Sequence, residues 1–318
     1  MPANHRMPRS WSRRSVLVAL AAGSVTALSV TALSACQVQL EEGAPRIPLV
    51  PTRVPMKDEK ALLAVLGRTT ALGSMATAVG GASTSMPGRL SAVHATQVGV
   101  IARLLREGGV PESMVGASTL TRPTTNPTAA AVVLSDVERD SVSDIALADL
   151  SNAHVALIGS MLAQRIAAVT LLGGMVAPVV PSGLEGAEAV RLLAGARAAV
   201  YGFEVVAAQI DSTGRPLARS TLAATRTRAS ELETLAGSSS TPPPLGYQLP
   251  FPVTDTDSAR RLALHLLEAL LSSHAAALEP ATGDAAALAT LVQWLGATEA
   301  IASGWGAPLA AFPGLTNG

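Results

Sequence analysis

The sequence predicts an all-α protein with two tandem four-helix bundles, which follow an export signal and a proline-rich tether. Two observations lead to this fold class. Apolar residues make up 48% of the chain but aromatic residues only 3%, so most apolar side chains are those of Ala, Leu and Val, which suit closely packed helices. From Lys57 onward, apolar residues also recur at intervals of three and four, the period of an amphipathic helix.

The first 35 residues have the pattern of a twin-arginine signal peptide. Arg13 and Arg14 directly precede an uncharged, largely apolar run from Ser15 to Ala35. An uncleaved membrane helix is the alternative, because about 20 apolar residues can span a bilayer. In both cases we expect an exported chain that is anchored to the outer face of the cytoplasmic membrane, in the cell envelope.

The end of this run matches the lipobox of bacterial lipoproteins, in which an apolar residue and two small residues precede the lipidated cysteine. The matching residues are Leu33, Ser34, Ala35 and Cys36. Cys36 is the single cysteine of the chain, so it cannot form an intramolecular disulfide. We therefore expect residues 1–35 to be removed and Cys36 to carry the lipid that holds the protein on the membrane.

Residues 36–56 are predicted to be a tether. Pro45, Pro48, Pro51 and Pro55 recur through this segment and favour an extended chain over a helix.

Residues 57–174 are predicted to form the first helical bundle. One helix starts near Lys57 and stops at Gly80-Gly81, and a second runs from Pro87 to Glu107. A polar connection follows, with Asn126 as the predicted cap of a helix that includes VVLSDVERD. The last helix of this half extends to Leu172. The charged stretch VERD, residues 137–140, is predicted to be a solvated face.

Residues 183–315 repeat the same layout. Helices are predicted over 184–211 and 215–236, then from a cap at Thr254 or Asp255 to Glu279, and over 284–303. A long connection, SSSTPPPLGYQLPFPV, separates the second of these helices from the third. Such a connection is the topology of the ferritin-like group and not of a simple up-and-down bundle.

Four segments of this second half carry a family resemblance: AVYGFEVVAAQ, RTRASELETLAG, YQLPFPVTDTDSARRLALHLLEAL and AAFPGL. Together they resemble the actinobacterial ferritin-like domain catalogued as domain of unknown function 4439, over about residues 185–315. The segments AVHATQVGVIARLL and NAHVALIGSMLAQRIAAVTLL of the first half are similar to the helical region that accompanies this domain in secreted alanine-rich proteins.

The resemblance also implies where a ferritin-like metal site would lie. Ferritin-like enzymes use Glu-x-x-His pairs, and no such pair occurs in this sequence. Ala196 and Arg197 stand where the family's first helix has an acid and a histidine, and Thr225 and Ser230 stand at the corresponding positions of the second, whereas Glu268 is retained in the third. We accordingly assign no catalytic residue, no metal and no cofactor.

Two polar clusters in the second half remain candidates. Glu204 is predicted to be a buried carboxylate paired with Arg197 or with an arginine of another helix, and a metal ligand is the alternative. His265 and Glu268 have a His-x-x-Glu spacing, which predicts a hydrogen bond on a helix surface or interface, or else the start of a mononuclear metal site.

Two histidines in the first half lie beside apolar stripes. His94 and Gln97 could join His154 in a polar network inside the bundle if their helices face each other. We favour the interpretation that each histidine has its own hydrogen-bond partners, because buried histidines usually find local partners.

The sequence predicts a non-enzymatic binding or structural role in the cell envelope, with another envelope protein as a candidate partner. Without the four arginines that precede residue 36, acidic residues outnumber basic ones by 23 to 19, which disfavours nucleic-acid binding. One alternative is a metal-dependent oxidoreductase or metal store that uses Glu204, Glu268 and His265. Another is an apolar small-molecule carrier with a cavity lined by Tyr201, Phe203, Trp294 and Trp305.

Overall fold

The computed structural model describes residues 53–117, 127–143 and 145–315, and these residues contain helices and no strand. The all-α prediction is confirmed. The helices are α1 (Glu59–Val79), α2 (Met86–Glu107), α3 (Glu112–Val115), α4 (Pro127–Ser143), α5 (Asn152–Leu171), α6 (Gly186–Gln209), α7 (Arg215–Ala236), α8 (Thr256–Ala276) and α9 (Ala285–Gly304). The signal residues Arg13, Arg14, Leu33, Ser34 and Ala35, the lipidation residue Cys36 and the predicted cap Asn126 lie outside the described residues.

Local sequence signals account for most of the helix ends. Ser85 caps α2, and its hydroxyl accepts a hydrogen bond from the Gly88 amide. Asp255 caps α8 in a capping box with Ser258. The prediction that this helix reaches Glu279 is wrong, because α8 ends at Ala276 and turns carry the chain to Asp284, which caps α9.

The long helices pair in two sets. In the first half, α1 packs against α2 and α4, and α4 packs against α5. In the second half, α6 packs against α7 and α8, and α8 packs against α9. The long connection between α7 and α8 lies where the sequence predicts it. This pairing is consistent with two tandem bundles.

The two halves pack against each other along α5 and α9, and the described residues from Pro55 onward belong to one compact unit. Met161 and Leu162 of α5 belong to the same buried core as Leu291 and Leu295 of α9. Gly296 permits this close packing, because a Cβ atom there would lie 2.6 Å from the Ala163 carbonyl oxygen. One continuous hydrophobic core therefore spans both halves.

Three of the described helices, α1, α5 and α9, are long and apolar enough to cross a membrane by length and composition alone. Most of α5 and α9 is buried inside the protein, because each helix lies between its own half and the other. The apolar side chains of α5 and α9 are thus buried in the shared core.

The C-terminal segment, residues 310–315, runs across both halves. Phe312 is buried in the shared core, and the Ser160 hydroxyl of α5 donates to the Pro313 carbonyl at 2.7 Å. Gly314 has φ 74°, and a Cβ atom there would lie 2.2 Å from the Leu271 carbonyl oxygen. A glycine is needed at this position both for the backbone conformation and for the close approach to α8.

Candidate functional site

A group of fully buried polar side chains lies inside the first half. His94 of α2 is 3.0 Å from the Gln97 side-chain oxygen through Nδ1 and 2.6 Å from Glu138 Oε1 of α4 through Nε2. Gln97 in turn donates from Nε2 to Gln164 of α5 at 3.1 Å and to the Ala311 carbonyl at 2.8 Å. This buried network links three helices of the first half to the C-terminal segment.

The Ala311 carbonyl determines where the hydrogens of the network lie. A carbonyl only accepts, so the Gln97 amide nitrogen must face it and the Gln97 oxygen must face His94. Nδ1 of His94 therefore carries a hydrogen. Nε2 of His94 and Glu138 Oε1 are in hydrogen-bond contact at 2.6 Å.

Arg165 of α5 is a fully buried cation near this network. It donates to the Thr69 hydroxyl at 2.8 Å and to the Ser141 carbonyl at 3.1 Å. Burial lowers the pKa of Arg165 to about 10, and the negative charge of Glu138 opposes that shift. Among the described residues, Arg165 Nε and Glu138 Oε2 have no hydrogen-bond partner. The charge of this arginine is thus stabilised mainly by groups on other helices.

The structure corrects the prediction for residues 137–140 and gives His94 and His154 different partners. The stretch 137–140 is not a solvated face as a whole, because Glu138 is fully buried against His94. His154 does not join His94: its Nδ1 lies 2.8 Å from Asp58, which also accepts from the Ser151 amide at 3.0 Å. Burial raises the pKa of Asp58, but the hydrogen bonds from Ser151 and His154 outweigh it and leave the pKa lowered.

Glu204 lies at the surface of α6, so the expected burial is wrong. Its Oε1 accepts from Arg226 of α7 at 2.7 Å, and both side chains are about half exposed. Arg197 instead contacts Glu233 and donates to the Thr241 carbonyl at 2.6 Å. The Glu204 carboxylate is thus already engaged by an arginine.

His265 and Glu268 are exposed on α8. The His265 ring lies edge-on to Phe251, with 6.3 Å between the ring centres. Glu268 lines a cavity with Glu299 of α9, whereas Glu204 lines a different one. Within the part of the chain that the structure describes, no group of three or more His, Cys, Asp and Glu side chains is placed to hold a metal ion.

Glu299 is a buried carboxylate that the sequence did not single out. Its Oε1 accepts from the Ala310 amide at 2.7 Å, which attaches the C-terminal segment to α9. Burial raises the pKa of Glu299, although the hydrogen bond from Ala310 acts in the opposite direction.

The late aromatic residues lie in three separate places among the described residues. Phe203 and Trp305 pack in the core of the second half with their ring centres 6.2 Å apart, and Trp305 donates to the Thr221 hydroxyl at 3.0 Å. Trp294 lies in the shared core with the Arg228 guanidinium 4.3 Å from its ring centre. Tyr201 pairs with Tyr247 near the surface. The carrier alternative therefore has no support from these aromatics.

An apolar cavity instead lies where the two halves meet. Its volume is about 510 Å³, and its walls come from the end of α4, residues 145–149, α5, the connection between α5 and α6, and α9. None of the described residues that line it is aromatic, and Asp149 and Gln293 are the polar members of this lining. We call it the junction cavity. Its apolar walls include Leu147, Leu162, Ile166, Val176, Leu288 and Val292.

One wall of the junction cavity is the connection between α5 and α6 itself, residues 172–185. Gln293 accepts a hydrogen bond from the Val179 amide at 2.7 Å, and Thr290 exchanges hydrogen bonds of 3.1 Å with the backbone of Ser182. Val176 packs inward against the shared core. Met175 and Val180 point outward and are 82% and 83% exposed. This connection, which we call the junction strap, is therefore apolar on both sides.

The comparisons with known proteins concern the second half of the chain. Residues 189–317 match the family model described as Domain of unknown function (DUF4439). The match supports the predicted domain of unknown function in the C-terminal half. It begins at Ala189, the fourth residue of α6, and includes α7, α8, α9 and the C-terminal segment. No curated protein and no solved structure matches the chain.

The junction cavity was not predicted from the sequence. The buried roles of Glu138 and Arg165 and the contact of Asp58 with His154 were not predicted either. For Arg165 a signal was present, because a lone arginine occurs in the apolar stretch IGSMLAQRIAAVTLL. A charged residue in such a stretch is expected to have a buried partner. The cavity has no local signal, since its walls combine residues from five separate segments.

Proposed function

We propose that this protein is a membrane-tethered lipoprotein of the cell envelope with a non-enzymatic role, and that its helical body binds an apolar ligand in the junction cavity. The observation that carries the proposal is the aliphatic cavity of about 510 Å³. Its volume is within the range of small-molecule sites, about 300–1,000 Å³, and such sites are mostly apolar with a few polar groups.

Two further features support this function. The cavity lies at the junction of two packed halves, a common position for ligand sites. The LSAC motif and the arginine pair support export and lipidation at Cys36. A tethered binding protein needs both an anchor and a ligand site.

The proposal is tested by binding of the apolar fluorescent probe N-phenyl-1-naphthylamine to residues 55–318, the compact unit of the chain. Ala289 is exposed at the cavity, so Ala289→Phe places a ring in the cavity opening without disturbing the core. We expect saturable binding to the unchanged chain and at least about tenfold weaker binding to Ala289→Phe, since the probe then loses apolar contact area.

Ala286→Phe is the matched control. Ala286 is an exposed alanine of the same helix that does not line the cavity. Equal loss of binding in both variants, or no saturable binding to the unchanged chain, would disprove the proposed ligand site.

A further inference from the structure

Resting on the proposed function, we infer that the occupant of the junction cavity is an acyl chain of a bilayer lipid, which enters past the junction strap. The inference names the chemical class of the ligand and its route.

The lining of the cavity favours a saturated hydrocarbon chain. Its walls are built from Leu, Ile, Val and Ala side chains, and the described lining residues offer no ring for stacking. Of the two polar members, Gln293 already uses its side-chain oxygen to hold the strap. Asp149 is exposed, and its carboxylate is suited to the wet edge of the cavity, not to its apolar interior. A ligand with an apolar tail and a hydrated head fits this distribution.

The junction strap indicates the source of the chain. Met175 and Val180 are almost fully exposed within six residues of each other, and Val179, which lines the cavity, is 38% exposed. Single exposed apolar side chains are ordinary, but a cluster at the edge of an apolar cavity marks a surface that contacts another apolar phase. Apolar residues inserted at the boundary between head groups and acyl chains bind a bilayer in this way.

Lipidation of Cys36, as proposed, brings the helical body to a membrane surface. Gln293 and Thr290 accept hydrogen bonds from the Val179 and Ser182 amides and so hold the strap on α9. Met175 and Val180 lie on the outer side of the strap. The strap thus has exposed apolar side chains, Met175 and Val180, on its outer side, and Val176 and Val179 in the cavity lining.

The first experiment measures bound lipid. Residues 55–318, which lack Cys36, are incubated with vesicles of phosphatidylglycerol and phosphatidylcholine, separated from them, and analysed by native mass spectrometry. We expect about one diacyl lipid per chain, at least fivefold less for Ala289→Phe, and no change for Ala286→Phe. The full lipidated chain, purified from membranes, is expected to contain the same additional lipid besides the one on Cys36.

The second experiment tests the route. Transfer of a pyrene-labelled phosphatidylglycerol from vesicles is followed by stopped flow for the unchanged chain and for Met175→Ser/Val180→Ser. We expect transfer to slow at least fivefold while binding of N-phenyl-1-naphthylamine stays unchanged. Equal transfer rates would overturn the route past the strap.

The outcomes separate the two proposals. Binding of the naphthylamine without uptake of lipid would overturn the acyl-chain inference and leave the proposed function in place. Absence of both would overturn both. A cavity that is filled only in the full chain would show that the Cys36 lipid, and not a bilayer lipid, is the occupant, and would also overturn the inference.

Discussion

Gln97 of α2 donates from its side-chain nitrogen to the backbone carbonyl of Ala311, 214 positions further along the chain, at 2.8 Å. Ala311 lies within AAFPGL, one of the segments that carry the family resemblance. The same segment accepts from Ser160 at Pro313 and donates to Glu299 from Ala310. This motif therefore attaches the C-terminal domain to the first half.

The contact between Gln97 and Ala311 is expected to stabilise the whole body. Gln97→Leu leaves the Ala311 carbonyl, His94 and Gln164 without this partner in a buried site, so we expect the free energy of unfolding to fall by about 1–3 kcal/mol. Urea denaturation measures the loss. Thr96→Val is the control, because Thr96 is exposed and bonds only within its own helix. A loss equal to that of the control would contradict a stabilising role.

Glu138 and Arg165 are expected to depend on each other. Removal of either buried charge, by Glu138→Gln or Arg165→Met, should lower the free energy of unfolding by about 3–5 kcal/mol, because the other is left less well compensated. The double variant should lose less than the sum of the two losses, with a coupling above about 1 kcal/mol in a double-mutant cycle.

The exposed pair Glu204 and Arg226 is the comparison for that cycle. Both side chains are largely in water, so the corresponding substitutions to Gln should change stability by less than about 1 kcal/mol. Additive losses at Glu138 and Arg165, similar to those of the exposed pair, would argue against electrostatic coupling in the buried site.

Gly314 and Gly306 offer a matched test of the C-terminal segment. Both have positive φ, but a Cβ atom at Gly306 meets open space, whereas one at Gly314 meets Leu271. Each substitution to Ala should cost about 1 kcal/mol for the backbone conformation. Gly314→Ala should cost a further 1–3 kcal/mol or so for the displaced segment. Thermal unfolding compares the two, and equal melting temperatures would rule out the close contact.

His274 predicts a specific sensitivity to acid. Burial, together with Arg228 and Arg191, lowers its pKa from about 6.5 to about 3. The unfolded chain therefore binds a proton at this position more readily than the folded protein. Stability is expected to fall as the pH decreases from about 6.5 toward 3, by up to about 1.4 kcal/mol per pH unit from this group alone.

His274→Phe is expected to remove this dependence while keeping a ring beside Trp294, whose centre lies 5.9 Å from that of His274. Urea denaturation between pH 7 and pH 4 should give a flatter profile for the variant than for the unchanged chain. Parallel profiles would mean that His274 is not responsible for the loss of stability at low pH.

The helices could be predicted because their signals are local. Ser85, Asp255 and Asp284 cap helices through contacts within three residues of the chain, and the apolar period is a property of each helix by itself. The prediction of the C-terminal end of α8 at Glu279 was wrong, because Ala276 and the three residues that follow it give no breaker before Pro280.

The interior could not be predicted from such signals. Glu138 was expected to be solvated, since a charged residue on a helix usually faces water unless a partner is present. Its partner His94 lies 44 positions away, and Arg165 lies on a third helix. Glu204, by contrast, was expected to be buried among small residues, but it lies on the side of α6 where Arg226 and water are available.

The sequence by itself determined the helical fold class, the place of each long helix and the resemblance of the C-terminal half to a known domain. These properties depend on residues close together in the chain. Tertiary structure alone decided that α5 and α9 join the halves, that Gln97 meets Ala311, and that an aliphatic cavity lies at the junction. The physical reason is that burial and partners depend on which helix faces meet, and helical periodicity is the same whichever neighbour a helix packs against.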